Sequence, residues 1–253
     1  MKNISRKQFI LNKLQEQGSV TITELAEELQ VSSMTIRRDL AALSSNGLVT
    51  LEHGGAMLNS GSMFEYTIAL KNEYMSQEKK KIAQKCLEYI TEGDSVFLDA
   101  GTTAACVAEL LRSKKNLIVM THSLLAANAL ANAKKIKHIM CPGEFREQSM
   151  AYMGPLTDEF IENFQIDTLF LCVEGIDVEQ GVSVVDILDG NTKKVLVKKA
   201  RKVICIADHS KFNKSFFYKI APLTDIDLII TDDGLDDDTK KQFEKNKLTL
   251  ITV

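Results

Sequence analysis

Two stretches carry side chains whose types and spacing suit chemistry. The first is Val31-Ser32-Ser33-Met34-Thr35-Ile36-Arg37-Arg38-Asp39-Leu40. As a helix it places Ile36, Leu40 and Leu43 at i, i+4 and i+7, one inward stripe. Ser33, Thr35, Arg37 and Arg38 then share the other side. Arginine bridges guanine edges or phosphates, and hydroxyls near a helix start bond phosphates or bases. Asp39 would repel phosphate, so it reads as an orienting partner for an arginine. The second stretch is Asp99-Ala100-Gly101-Thr102-Thr103. Glycine lets the backbone approach closely, a helix start offers free N–H groups, and Thr102 and Thr103 add hydroxyl donors. That combination suits a phosphate, although Gly-Thr-Thr is also an ordinary helix cap.

Further polar groups fall at the expected ends of strands, where open α/β sheets place their ligands. They are Thr121-His122-Ser123, Pro142-Gly143-Glu144, Glu174-Gly175-Ile176-Asp177 and Asp208-His209-Ser210-Lys211. Carboxylates there hold sugar hydroxyls, and lysine pairs with phosphate. Lys193 and Lys194 follow near the start of a helix. Singly, each segment is more often a loop or cap; their shared placement raises the binding reading.

The elements that would position these residues are legible. Ser5-Arg6-Lys7-Gln8 reads as a capping box opening a helix that Gly18 ends, and Thr21-Ile22-Thr23-Glu24 as a second one. Ser32 is the expected N-cap of the third helix. Two small strands, Leu48 to Leu51 and Ala56 to Leu58, flank His53-Gly54-Gly55. Two capped helices, a tight turn and a hairpin make a winged helix-turn-helix over 1–58. His53 sits at the wing tip, and Lys2, Arg6 and Lys7 are candidate contacts to flanking phosphates. Residues 59–75 are assigned to a linker. Lys79-Lys80-Lys81 opens a helix to about Ile90, and the charge run is read as its solvated face. From residue 95 onward, strand-length apolar runs at 95–99, 116–120, 136–140, 167–173, 201–206, 226–231 and 247–252 alternate with helical segments. The helices are expected at 102–112, 123–132, 155–163, 189–200 and 236–245. Such alternation predicts an α/β domain over 76–253 with a mainly parallel, doubly covered sheet.

Composition bounds the reading. The chain has 253 residues, 45% hydrophobic and 26% charged, with net charge −3. That excludes collagen-like, disordered and disulfide-scaffold classes. Cys86, Cys106, Cys141, Cys172 and Cys205 show no metal or redox spacing and read as small buried hydrophobes. The four histidines are scattered, and no metal or cofactor is expected. No apolar run approaches a membrane span and the N-terminus lacks a signal-peptide centre, so a cytoplasmic protein without membrane contact is expected. In 1–58 Lys2, Arg6, Lys7, Lys13, Arg37 and Arg38 balance Glu16, Glu24, Glu27, Glu28, Asp39 and Glu52 one for one. DNA binding therefore turns on which charges share a face.

The segment from Val31 to Leu40, followed by Gly47-Leu48 and His53-Gly54-Gly55-Ala56, closely resembles the DeoR/GlpR family of bacterial transcriptional regulators. The second half resembles that family's sensor domain, whose fold is similar to ribose-5-phosphate isomerase. The matching pieces are Asp99 to Thr103, Gly175-Ile176-Asp177, Asp208 to Phe212, Asp225-Ile226-Asp227 and Ile230-Thr231-Asp232. The resemblance implies a repressor of double-stranded operator DNA with Arg37 and Arg38 as main contacts. It implies a phosphorylated sugar effector, with Gly101, Thr102 and Thr103 on the phosphate, Lys193 as charge partner, and Asp99, Glu174 and Asp177 near the sugar. Thr121, His122, Ser123, Gly143 and Lys211 complete the candidate effector site. Four positions depart from the family pattern. His122 replaces a common Asn, Pro142-Gly143 a Gly-Gly, Asp208-His209 an Asp-Ser, and Asp189-Gly190 a Glu-Ala.

The expected function is transcriptional repression of sugar-metabolism genes by a homodimer or homotetramer, since one recognition helix reads only a half-site. The alternative is a sugar-phosphate isomerase-like enzyme with an accessory helical domain, because Asp99, Glu174, Asp177 and Lys193 could do acid–base work. A module for reading DNA adds nothing to an isomerase, so no enzymatic activity is expected.

Overall fold

The computed structural model describes residues 3–45, 48–59, 68–246 and 248–253. The chain divides into two compact units, Met1–Tyr74 and Met75–Val253.

The first unit contains α1 (Asn3–Gln17), β1 (Ser19–Thr21), α2 (Ile22–Glu28), α3 (Ser33–Ser45), β2 (Val49–Glu52), β3 (Gly55–Leu58) and α4 (Ile68–Glu73). Ile10, Leu14, Leu25, Ile36, Leu40, Leu43 and Leu48 close one core between the helices and the hairpin. The sheet order is β1-β3-β2, antiparallel throughout. Strand β1 was not expected; three residues are too few to show an alternating pattern. A second correction concerns Ser5. Helix α1 already includes Asn3, so Ser5 lies inside it and does not cap it. Gly18 does end the helix, at φ +77°, with its N–H bonded to the Leu14 carbonyl at 2.7 Å. Of the expected linker, 60–67 lies outside the described residues, as do Asn46 and Gly47, while Ile68–Glu73 is helical.

The second unit opens with α5 (Ser76–Cys86) and alternates through β4 (Ser95–Leu98), α6 (Thr102–Leu111), β5 (Leu117–Thr121), α7 (Leu124–Leu130) and β6 (Ile136–Met140). A hairpin of β7 (Glu144–Arg146) and β8 (Ala151–Met153) leads to α8 (Pro155–Glu162) and β9 (Ile166–Leu171). Then come β10 (Gly175–Asp177), β11 (Gly181–Val184), α9 (Ile187–Lys199), β12 (Ala200–Ile206), β13 (Tyr218–Ala221), β14 (Leu228–Thr231), α10 (Asp237–Lys245) and β15 (Leu250–Thr252). Seven strands form one sheet, ordered β15-β14-β12-β9-β4-β5-β6. Every pairing in it is parallel.

All seven apolar runs noted in the sequence supply these strands. The central strands β4, β9, β12 and β14 are buried on both sides, while the edge strands β6 and β15 are partly exposed. On one side Phe97, Leu169, Leu171, Cys205 and Ile229 pack with Ile161 of α8, Leu196 of α9 and Phe243 of α10. On the other, Val96, Leu98, Phe170, Ile204 and Ile230 pack with Ile82 of α5, Val107 of α6 and Leu130 of α7. The chain runs outward from β4 to β5 and β6, then returns to place β9 on the opposite side of β4. The β4–β9 junction is therefore the switch point where such sheets open a ligand crevice. The small antiparallel sheets, β7-β8 and β10-β11-β13, were not expected.

Candidate functional sites in the two units

In the first unit, the site is built by capping. Thr21 Oγ1 accepts the Glu24 N–H at 3.2 Å and starts α2. Gln30, at φ +53°, makes the turn. Ser32 then caps α3, accepting the Thr35 N–H at 3.2 Å. The buried stripe Ile36, Leu40 and Leu43 fixes the rotation of α3, which leaves Ser33, Arg37 and Arg38 exposed and Thr35 half-buried. Asp39 is buried and accepts from Arg6 Nε at 2.5 Å and from a second guanidinium nitrogen at 3.2 Å. Its arginine partner is thus Arg6, which ties α1 to α3 and leaves Arg6 only 12% exposed. His53 is exposed in the turn between β2 and β3. Gly55 allows β3 to pass close to β1; a Cβ there would lie 2.1 Å from the Val20 carbonyl oxygen. Lys2 lies outside the described residues.

In the second unit, the β4–β9 junction holds a buried polar cluster. Asp99 follows β4 and is fully buried. Its Oδ1 accepts the Ala100 N–H at 2.7 Å and faces His122 Nε2 at 3.0 Å. Its Oδ2 accepts the Cys172 N–H at 2.8 Å and Lys193 Nζ at 2.7 Å. Burial alone would push this carboxyl up, but Lys193 and the His122 contact outweigh it and hold it below the usual carboxylate range. Lys193, 1% exposed, also lies 3.1 Å from Asp189 Oδ1. Burial opposes its charge, but Asp189 and Asp99 together hold its pKa above the ordinary lysine value. His122 Nδ1 donates to the Tyr152 carbonyl at 2.9 Å, tying the end of β5 to β8.

Next to this cluster α6 begins. Gly101 is its N-cap and supplies no side-chain cap, and Thr102 and Thr103 are buried. Gly101 packs on Cys172 so tightly that a Cβ would lie 2.5 Å from Sγ. Lys79 of α5 is buried with Asp208, Lys211, Cys106 and Cys172 as electrostatic neighbours; burial pulls its ammonium down to about 8. Among the described residues no cluster of three or more His, Cys, Asp or Glu has the form of a metal site.

Residues 6–62 match the DeoR-like helix-turn-helix domain, and residues 75–233 match the DeoR C terminal sensor domain. The chain belongs to the DeoR family. It is 33% identical over 250 residues to a putative aga operon transcriptional repressor of Escherichia coli O157:H7, covering 98% of this chain and 93% of that protein. It is also 33% identical over 232 residues to the glycerol-3-phosphate regulon repressor of Escherichia coli K12, covering 92% of each. A ribose 5-phosphate isomerase A from Methanocaldococcus jannaschii superposes with a TM-score of 0.41 at 14% identity, over 55% of each chain. This DeoR-family protein is therefore a DNA-binding transcriptional regulator with a small-molecule sensor domain. Its relatives are named as repressors, not as enzymes, and the isomerase alternative is set aside. Among the described residues no helix is long and apolar enough to cross a membrane.

Within the sensor of this DeoR-family regulator, the expected effector residues separate. Asp99, His122 and Lys193 meet directly, beside Gly101, Thr102 and Thr103. Thr121 is engaged by backbone, donating to the Leu98 carbonyl at 2.7 Å, and Ser123 caps α7. Asp177 accepts the Glu179 and Gln180 N–H groups and shapes the β10–β11 turn. Glu174 accepts the Val185 N–H at 2.8 Å. Gly143 packs on Thr157 and Met153. Lys211 is half-buried just after Asp208, the cap of its short turn.

Two residues were missed. Lys79 was read as part of a solvated face, and the structure corrects this: Lys80 and Lys81 are exposed but Lys79 is 4% exposed. The signal was present, because Lys79, Ile82, Ala83 and Cys86 fall at i, i+3, i+4 and i+7, the buried stripe of α5. Asp189, one turn before Lys193, was noted only as a departure from the family pattern.

Proposed function

We propose that this regulator represses sugar-metabolism genes in the cytoplasm and releases operator DNA when a phosphorylated sugar or polyol binds the sensor. Arg37 and Arg38 reach base edges and phosphates, Ser33 and Thr35 contact the strand at the helix start, and His53 touches backbone from the hairpin turn. Arg6 acts chiefly by holding α1 on Asp39. The effector's phosphate sits on the α6 N-terminus, bonded by backbone N–H groups and by the Thr102 and Thr103 hydroxyls. Lys79 and Lys211 supply positive charge there. Lys193 is already compensated by two carboxylates, so it organises the sugar end with Asp99 and His122. The observation that carries this reading is the uncapped glycine N-terminus beside a buried, oppositely charged cluster at the sheet's switch point.

Two recognition helices on adjacent half-sites require at least a dimer, and a homodimer or homotetramer meets that need. An effector that weakens operator affinity tenfold supplies about 1.4 kcal/mol of coupling. The test is fluorescence anisotropy on the chain's own upstream DNA with a panel of sugar phosphates and their unphosphorylated parents. Release by a phosphorylated compound and not by its parent supports the reading. Release by the parent alone, or by neither, removes the phosphate from it.

A further inference from the structure

The carboxylates of the sensor cluster are not bonded alike. Asp99 has a donor on each oxygen. Asp189 Oδ1 is buried, forms an ion pair with Lys193 Nζ at 3.1 Å, and receives no hydrogen bond from the described residues. Buried polar atoms nearly always have a partner, so an incomplete one calls for an explanation. Helix capping does not provide it. Asp186 caps α9, accepting the Asp189 N–H at 2.9 Å, so the Asp189 carboxylate has no capping role. Lys193 Nζ bridges Asp189 to Asp99, and Asp99 stands two residues before Gly101. The incomplete oxygen is therefore one side chain removed from the proposed phosphate cradle. Two carboxylates around one ammonium also make this end of the site favour a donor over an acceptor.

We propose that Asp189 Oδ1 accepts a hydrogen bond from the effector, given by a hydroxyl or an ammonium on the part remote from its phosphate. The proposal rests on the phosphate reading above. It makes Asp189 a specificity-determining residue, one that rejects phosphorylated compounds lacking a donor there. Asp99, Lys193, His122 and Glu174 face Asp189 electrostatically. Burial, with Asp99 adding to it and Lys193 opposing, pushes the Asp189 carboxyl up to about 6. A proton then occupies the acceptor in mild acid, and the effector's donor occupies it at neutral pH.

Three probes test this by isothermal titration on the full chain at pH 7.5: propyl phosphate, glycerol 3-phosphate and 3-aminopropyl phosphate. Wild type is expected to bind at least one donor-bearing probe roughly tenfold tighter than propyl phosphate, about 1.4 kcal/mol. Asp189→Ala is expected to bind all three alike. Asp189→Asn keeps an acceptor and removes the charge, so it separates the two sources. It spares a preference for glycerol 3-phosphate and erases one for 3-aminopropyl phosphate. No donor preference in wild type, or a preference that survives Asp189→Ala, overturns the proposal while leaving the phosphate reading intact. Failure of wild type to bind any of the three strikes the phosphate reading, and the proposal falls with it. Should Asp189→Ala also lose propyl phosphate, the wild-type affinity ratio of glycerol 3-phosphate to propyl phosphate decides between pH 7.5 and pH 5. The ratio cancels titration of the probes' own phosphates. It falls toward one if Asp189 is the acceptor, and a flat ratio overturns the proposal.

Discussion

Substituting Lys193 with methionine tests the electrostatic account of the sensor. Lys193→Met retains an unbranched chain of similar reach and removes the charge. Asp99, fully buried, keeps the Ala100 and Cys172 N–H groups and the His122 contact but loses its ammonium. Asp189 Oδ1 loses its only near cation among the described contacts. Breaking a buried pair by removing one partner costs about 3–5 kcal/mol, because the remaining charge is left uncompensated. For a domain of this size each kcal/mol moves Tm by about 2–4 °C, so the sensor transition should fall by roughly 6–20 °C at pH 7.5. The pH dependence has a definite sign. In wild type the depressed Asp99 pKa contributes stability that is present above the unfolded carboxyl value and lost as pH falls through the folded value. In Lys193→Met burial dominates and both carboxyls rise, so the deficit is largest at neutral pH and shrinks as they take up protons. Differential scanning calorimetry at pH 7.5 and pH 5 reads both effects. A Tm drop under about 2 °C at pH 7.5, less than 1 kcal/mol on the same scale, would refute the buried-pair argument. So would a gap that widens in acid. Lys193→Met/Asp99→Asn should recover part of the loss and not all of it. An amide cannot accept from both the Ala100 and Cys172 N–H groups.

Other outcomes follow from the same geometry. Arg38→Ala should weaken operator binding by roughly 1–3 kcal/mol of base-edge contact with the Tm unchanged, read by gel shift; wild-type affinity would remove Arg38 from the interface. Arg6→Met should strand the buried Asp39 carboxylate and lower the stability of the first unit by about 3 kcal/mol or more in urea unfolding, whereas a neutral effect would show the pair to be dispensable. Gly101→Ala drives a Cβ to 2.5 Å from Cys172 Sγ. It should destabilise the sensor by about 1–3 kcal/mol and abolish stabilisation by phosphorylated ligands in thermal shift, and retained ligand stabilisation would move the phosphate off α6.

The large sheet was legible because strands covered on both sides need long apolar runs such as Val203-Ile204-Cys205-Ile206, which stand out against charged helices. Strands β7, β8 and β10 were not, since three residues carry no period, and their pairing is set by tertiary neighbours. In the sensor cluster, sequence brought Asp99, His122 and Lys193 to one end of the sheet through strand-end placement and family likeness, but not into contact. Nothing local says that a lysine 94 residues along the chain will neutralise Asp99. Lys79 was different: its helical phase assigned it to the interior, but its position in a run of three lysines suggested solvent. Thr121, Ser123 and Asp177, all expected at the effector, each bond the backbone. Polar residues at strand ends are as often needed by the backbone as by a ligand, and hydrogen-bond geometry alone separates the two uses.

The distance along the chain between Asp99 and Lys193 also orders events during synthesis. At about 5–20 residues per second, a ribosome takes roughly 5–20 s to travel from one to the other. Until α9 emerges, Asp99 has no cation to meet, and β4 cannot be buried beside β9 without stranding a carboxylate. The DNA-reading unit lies wholly upstream and can close its own core meanwhile. A chain terminated between Asp99 and Lys193 would therefore carry a complete recognition helix and a sensor half that cannot consolidate. Nonsense alleles in that interval belong in a different phenotypic class from missense changes at the cluster itself.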